Sequence, residues 1–570
     1  KVPHMTSKCN LAERPLFSLS LSLSLSPAEP LSLSLSLMGT EMMSKLLEDH
    51  SLPLLQPPLE MEHDELHVVM VPYPLQGHIN PMMQFAKSLI AKHSVRVSFI
   101  NIKHHHDRIQ KARSGALSSA KATSTNGKLQ FLCVDNIGLP EDFNYTDLGS
   151  NLRQFHVALN LSIGDPLKEL LQNLQQSRPP ISCVVFGSFC PQAHTVSAEL
   201  GFPSFFFWTQ SASVLSMYYH APLLEAKGFF PYCQQAAAID LDQHIVEEHE
   251  TSPHDETDFR LVSYVPGVPP LHPSSFPTLL HIDSISDPAF NSIREQLAIL
   301  PSCQGVIVNS FEELEKDAYR ALQEELPIPV SFVGPLIPSA FLQDGDAKDT
   351  SVGASFLDEK FECIEWLDCQ RERSVLYVSF GSLFHPSAED LVSIADGIKE
   401  SKQPFLWVIR PKSSLLDVAE ILPKGFIDDT KQNGLIIPWA PQVQVLSHPS
   451  IGAFLTHCGW NSTLESMTMG VPMIPCPVKS DQPTNSTYVC DVWKIGMALK
   501  RHDDDTIRSL DVEKVVKIVL REEDGKEMRK RAIELGEAAR RAAGFSPAGS
   551  SYIHMQQLIK FVSNYNKSAS

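Results

Sequence analysis

WAPQVQVLSHPSIGAFLTHCGWNSTLESMTMGVPMIPCPVKSDQ, the 44 residues from Trp439 to Gln482, decides the fold. IGAFLTH (451–457) has the apolar run of a buried strand, HCGWN is a tight glycine loop, and STLESM begins a helix. Asn461 and Ser462 are good cap residues for that helix. Its positive end, with unpaired N–H groups, suits a diphosphate, and His457 at the strand end adds a donor. Glu465 lies four residues after Asn461 on the same helical face, where a carboxylate can accept from two ribose hydroxyls. Trp439 offers a flat face to a base. Asp481 and Gln482 follow a second apolar run, VPMIPCPV, and can hydrogen-bond sugar hydroxyls. Each residue also has a plainer reading: Trp439 as core, Glu465 as helix surface, Asp481 as a loop cap.

The same strand–loop–helix pattern extends on the N-terminal side. SVLYVSF opens this second α/β unit with Gly381 and Ser382 at its tip, and FLWVI and GLIIPW continue it. In the first half LHVVMVPYP reads as a strand, LQGHINP as a loop and MMQFAKSLIAK as an amphipathic helix, with Pro81 suited to the first helical turn. VRVSFIN, ISCVVF, PSFFFWT and QGVIVNS repeat the strand pattern. Strands alternating with helices predict an α/β fold with a parallel sheet in each half. His78 falls in the loop after the first strand, where the binding crevice of such a sheet forms. A histidine there can take a proton from a hydroxyl at neutral pH, or serve as a capping or loop residue. FFFW (205–208) and MYY (217–219) supply aromatic residues for an acceptor pocket or, more simply, for the core.

A chain of 570 residues exceeds one ordinary domain of about 200–250 residues. The expected divisions are 65–335, a loop-rich linker over 336–370, and 371–570. Residues 1–64 stand apart: SLSLSLSLS (18–26) and SLSLSLM (32–38) alternate Ser and Leu, as a translated dinucleotide repeat does. They are set aside as a low-complexity leader, with the natural start at Met38, Met43 or Met61. The formal charge of −19, from 47 basic and 66 acidic residues, argues against nucleic-acid or anionic-membrane partners. Eleven cysteines without a CxxC pair read as free thiols of a reducing cytosol. No apolar run reaches the roughly 20 residues that span a bilayer. The acids Asp240/Asp242, Asp344/Asp346 and Asp503/Asp505 lie in polar stretches and read as solvated, not metal-binding. His104, His105 and His106, adjacent on one segment, read as surface or loop.

The stretch from Trp439 to Gln482 closely resembles the signature box of plant secondary-product UDP-glycosyltransferases, family 1 of the glycosyltransferases. GHINP around His78, FINIKHHHDRI, VNSFEELE, ECIEWLD and VSFGS extend the resemblance over residues 66–565. It implies a GT-B fold: an acceptor-binding and a donor-binding Rossmann-like domain facing across a cleft, the last helix packing back on the first domain. It further implies a cytoplasmic, monomeric enzyme that takes a UDP-sugar and a small apolar acceptor, with no metal and no cofactor. The final Gln482 is similar to members favouring UDP-glucose. By the same resemblance Trp439 would stack on uracil, with the backbone of Ala440 at the base edge, and Gln442 and Glu465 would hold the ribose. His457, Asn461, Ser462 and Ser382 would hold the phosphates; Trp460, Asp481, Gln482 and Thr209 the sugar. His78 would be the general base for an inverting transfer. One position departs from the pattern. The family carries an aspartate after the strand resembling ISCVVF, paired with the base, and here Gly187 stands there with Ser188 beside it. Three readings follow: a slower enzyme relying on His78 alone, a relocated carboxylate, or a UDP-sugar-binding protein with weak or lost transfer.

Overall fold

Strands without polar alternation suit a sheet covered on both faces, and the computed structural model is built on two such sheets. It describes residues 65–569 apart from 94, 118–126, 136, 141–142, 146–147, 233–260, 343–361, 384, 410–420, 503 and 545–547. The Ser-Leu repeats, Asp240/Asp242, Asp344/Asp346, Asp503 and much of the expected linker lie outside the described residues.

The first sheet has seven parallel strands in the order β3-β2-β1-β4-β5-β6-β7. In sequence these are β1 (His67–Val71), β2 (Arg96–Ile102), β3 (Leu129–Val134), β4 (Cys183–Gly187), β5 (Ser204–Trp208), β6 (Gly305–Val308) and β7 (Val330–Phe332). β5 shows how the two faces divide. Phe205 and Phe207 pack with Val68, Met70 and Val185 on one side, and Phe206 and Trp208 with Val69, Val71 and Phe186 on the other. The aromatic run FFFW is therefore core, as are Met217 and Tyr218 of the helix Ala212–Tyr219. The last helix, Ser550–Ala569, lays Met555, Leu558 and Val562 against this sheet.

The second sheet has five parallel strands in the order β10-β9-β8-β11-β12. These are β8 (Val375–Ser379), β9 (Phe405–Val408), β10 (Gly434–Ile437), β11 (Ile451–Thr456) and β12 (Met473–Pro475). In both sheets the winding reverses beside the first strand, between β1 and β4 and between β8 and β11. A crevice opens outside the carboxyl ends of the strands at such a reversal. His78 follows β1 and Gly187 ends β4; Gly381 and Ser382 follow β8, and His457 to Ser462 follow β11.

Three sequence expectations need correction. The segment expected as a loop, LQGHINP, is mostly helical: the helix runs Gln76–His93, so His78 sits in its first turn and Pro81 is its sixth residue. The helix after β11 begins at Trp460 with Gly459 at its N-cap and no side-chain cap, so Asn461 and Ser462 are first-turn residues and not caps. Two strands escaped notice. β3 is half exposed and β7 only three residues long, so neither carries a continuous buried run.

The helix Ala212–Tyr219 is held from outside itself. Glu315 is buried and accepts from the Ala212 and Ser213 amides (2.9 and 3.0 Å) and from the Ser213 and Ser310 hydroxyls (2.8 and 2.6 Å). Burial pushes its carboxyl up, and the four donors oppose that. Glu315→Ala strands all four donors, so an earlier unfolding transition in urea is expected, with a loss of about 3 kcal/mol or more.

Candidate functional site

His78 lies among aromatic rings. Tyr73 and Phe189 meet it edge-on, with centroids 5.3 and 5.8 Å away. Phe189 takes a left-handed backbone, φ 69°, uncommon for a bulky residue. The Gln296 side-chain oxygen accepts its N–H, and Asn160 Nδ2 donates to its carbonyl at 3.3 Å. Burial pushes the His78 imidazole down to about 4. Its Nδ1 faces two hydroxyls, Thr209 Oγ1 at 3.1 Å and Ser188 Oγ at 3.4 Å. Among the described residues no carboxylate bonds it and none contributes to its shift. Thr209 was singled out for the sugar; its hydroxyl is a direct neighbour of His78.

At Gly187 the backbone φ is not positive, so a side chain is not barred by conformation. A Cβ there would lie 3.0 Å from the Tyr73 amide nitrogen and 3.4 Å from Pro72 Cα. An aspartate at this position has to part β1 and β4 by a few tenths of an ångström. The three adjacent histidines go separate ways. His104 stacks on Tyr145 with centroids 3.8 Å apart, His105 Nε2–H donates to the Pro74 carbonyl at 2.9 Å, and His106 lies beside Gln110.

On the other side of the cleft the tight loop His457–Gly459 needs Cys458 at φ 61°. The His457 ring is clamped by glycines: a Cβ on Gly381 or Gly459 would come within 2.6 or 2.5 Å of its Nε2. Its Nδ1 is shut from solvent, and a backbone hydrogen bond at Ser379 favours the charged ring. Burial, ahead of the nearby His385, pushes its pKa down to about 4. The uncapped helix N-terminus begins directly after this loop. Gln442 Nε2 donates to Glu465 (2.7 Å) and Ser462 (2.8 Å), while Tyr377 donates to Gln442 Oε1 at 3.2 Å. Trp439 is partly buried beside this network, and Ala440 is buried.

Asp481 and Gln482 are buried. Asp481 accepts from Asn485 Nδ2 at 2.8 Å, and burial pushes its carboxyl up to about 6. Gln482 spends its oxygen on the amides of Val478 and Lys479 (2.8 and 2.9 Å), and among the described residues its Nε2 makes no bond. The Trp460 indole is committed too. It is core, and its N–H donates to the Asn309 carbonyl at 2.7 Å, so only its backbone amide can serve a ligand. Ser382 is partly exposed beside Gly381.

Contacts across the cleft bring the halves together. Asn461 Nδ2 donates to the Gly77 carbonyl at 2.8 Å. Ser480 and Thr278 are tied by two bonds, the Ser480 amide to Thr278 Oγ1 (2.9 Å) and the Thr278 amide to the Ser480 carbonyl (2.8 Å). Gln210 Nε2 reaches Ser480 Oγ at 3.3 Å, while Gln210 Oε1 and the Tyr218 hydroxyl are buried without partners among the described residues. Sequence reasoning missed Tyr73, Phe189, Gln210 and Asn309. Tyr73, Gln210 and Asn309 each lie just past the carboxyl end of a strand, which is the positional signal that could have found them.

The model of the family described as UDP-glucoronosyl and UDP-glucosyl transferase matches residues 346–535, and that of the glycosyltransferase N-terminal domain matches 64–221. A 7-deoxyloganetin glucosyltransferase of Gardenia jasminoides is 35% identical over 502 residues, 87% of this chain and 97% of the relative. UDP-glycosyltransferase 85A7 of Arabidopsis thaliana is 33% identical over 496 residues, 86% and 96% of the two chains. The chain belongs to the UDP-glycosyltransferase family. Its GT-B architecture agrees with that of Phytolacca americana UGT2, solved with UDP-2fluoro-glucose and pterostilbene. That structure has a TM-score of 0.67 and 29% identity, covering 87% of this chain and 100% of the other. Among the described residues of this glycosyltransferase no helix is long and apolar enough to cross a membrane.

The lowered pKa of His78 keeps the imidazole neutral from about pH 5 upward. A rate profile governed by this group has its acid limb near pH 4 instead of 6.5. Thr209→Val removes the nearer hydroxyl, so kcat is expected to fall about tenfold with UDP affinity unchanged. A fall in affinity for UDP-glucose at constant kcat would instead make Thr209 a sugar contact.

Proposed function

We propose that this glycosyltransferase moves a hexose, glucose, from a UDP-sugar onto a hydroxyl of a small apolar acceptor. The observation that carries this reading is the 2.8 Å bond from Asn461 to the Gly77 carbonyl. It brings the residue before His78 against the helix N-terminus suited to a diphosphate.

In this reading uracil lies on Trp439 beside the Ala440 backbone, and Glu465 and Gln442 take the ribose. His457, Asn461, Ser462, Ser382 and the first amides of the helix Trp460–Thr468 hold the diphosphate. Asp481, Gln482 Nε2 and the Trp460 amide face the sugar, with Thr209 shared between sugar and base. His78 Nε2 takes the acceptor proton as the acceptor oxygen bonds the anomeric carbon from the face opposite the diphosphate. The bond from that carbon to the phosphate oxygen breaks, and UDP departs with the electron pair, so the anomeric configuration inverts. No step in this sequence needs a metal ion. The Phytolacca americana enzyme, with its UDP-2fluoro-glucose and pterostilbene, supports the pairing of a UDP-hexose with a small organic acceptor.

A neutral imidazole of lowered basicity beside hydroxyls alone is a weak base. Phenols and carboxylic acids, which lose their proton easily, should be turned over well, and aliphatic alcohols poorly. Purified protein screened with UDP-glucose against both classes tests this, and a panel without turnover overturns it. UDP should raise the melting temperature, less so in Trp439→Ala and Glu465→Ala, and EDTA should leave turnover intact. Gly187→Asp is expected to lower the melting temperature slightly while raising turnover of an alcohol more than of a phenol. A folded variant that gains on neither shows that the missing carboxylate does not limit the rate.

A further inference from the structure

In the helix Gln76–His93 the Gly77 carbonyl would ordinarily accept the amide hydrogen of residue 81. That residue is proline, which has no amide hydrogen and whose ring crowds the carbonyl four residues back. Among the described residues, the hydrogen bond this carbonyl receives comes from the other half of the molecule, Asn461 Nδ2 at 2.8 Å.

Asn461 is itself oriented. Its Oδ1 accepts from Asn309 Nδ2 at 3.5 Å, and Asn309 is fixed from three further sides. The Trp460 indole donates to the Asn309 carbonyl (2.7 Å), the Leu336 amide to Asn309 Oδ1 (2.9 Å), and the Asn309 amide to the Trp208 carbonyl (3.0 Å). A primary amide has two hydrogens on one nitrogen. With one on Gly77, the second remains for an oxygen ligand at the N-terminus of the helix Trp460–Thr468.

We propose that Asn461 couples the nucleotide-sugar site to the turn carrying His78, through the carbonyl that Pro81 leaves unpaired. A diphosphate oxygen on the second Asn461 hydrogen is then one amide away from Gly77, and Gly77 precedes His78 directly. Donor binding thereby fixes the position of the base. Pro81 and Asn461 act here as positioning residues, and the inference rests on the reading of the site given under Proposed function.

Pro81→Ala tests it, because alanine restores the amide hydrogen that satisfies Gly77 from within the helix. The substitution removes an interior proline, so the melting temperature should hold or rise. UDP affinity by calorimetry should stay within about twofold, since Asn461 still faces the phosphate, while kcat on a phenolic acceptor should fall about fivefold or more. Asn461→Ala should weaken UDP binding and lower kcat, and the double variant should be no slower at saturating donor than Asn461→Ala alone. Hydrogen exchange gives a readout independent of turnover. UDP at saturation should slow exchange in the first turn of the helix Gln76–His93 in the wild type and not in Pro81→Ala. Equal protection in both proteins, or kcat losses that multiply in the double variant, overturns the coupling. A wild type that binds UDP with this protection pattern and glycosylates nothing leaves the coupling standing and overturns the transferase reading.

Discussion

Burying both faces of two parallel sheets is the constraint from which the rest follows. A strand covered on both sides has no polar face with which to hold a ligand, so all chemistry moves to the loops at the strand ends. The winding reverses between β1 and β4 and between β8 and β11, and the loops there have room to separate. Gly381, Ser382 and His457 to Ser462, and His78 on the opposite half, lie at these two reversals or on the first helical turn beyond, while Trp439, Ala440 and Gln442 follow the edge strand β10. The glycines at 381 and 459 follow from the same crowding, since the His457 ring leaves no room for a Cβ on either side.

An acidic protein that takes an anionic substrate needs local donors, for its overall field repels the ligand. The site supplies them without a lysine or arginine among the residues assigned to it. The helix N-terminus at Trp460 has no side-chain cap, and among the described residues Asn461 Nδ2 spends one of its two hydrogens, on the Gly77 carbonyl. Both are neutral donors with hydrogens to spare for a ligand. The neutral histidines follow the same logic. Burial lowers both His78 and His457, so neither adds a charge that the acidic surroundings would hold in a fixed protonation state.

The strands with long buried runs, the parallel arrangement and the residues from Trp439 to Gln482 were all legible in the sequence, because apolar continuity and fixed spacing are local properties. The parts that were not legible depend on contacts between distant residues. Nothing near Gly77 says that its carbonyl will be answered by Asn461, 384 positions away. Pro81 looked like a helix start because Gly77 and Pro81 together resemble a loop, and the structure keeps them helical by satisfying the orphaned carbonyl from outside. Trp460 was read as a sugar contact from its place in the motif, yet its indole is held by Asn309 in the core. Phe189 gave no signal at all: its left-handed backbone is stabilised by Gln296 and Asn160, which come from two separate helices.

The partner of His78 is the point at which chemistry and packing meet. A carboxylate beside Nδ1 only accepts, so it fixes the proton there and leaves Nε2 as the base. A hydroxyl both donates and accepts, so Thr209 and Ser188 permit either tautomer and offset none of the charge that the ring acquires. Tyr73 and Phe189 beside the ring limit the water that would otherwise stabilise that charge. What this site lacks in electrostatic support for imidazolium must come from the acceptor, as an acidic hydroxyl, or from the donor, as a well-held leaving group. In the proposed reading the neutral cradle at Trp460 to Ser462 would supply the second, and the Gly77–Asn461 bond would hold it in register with the base.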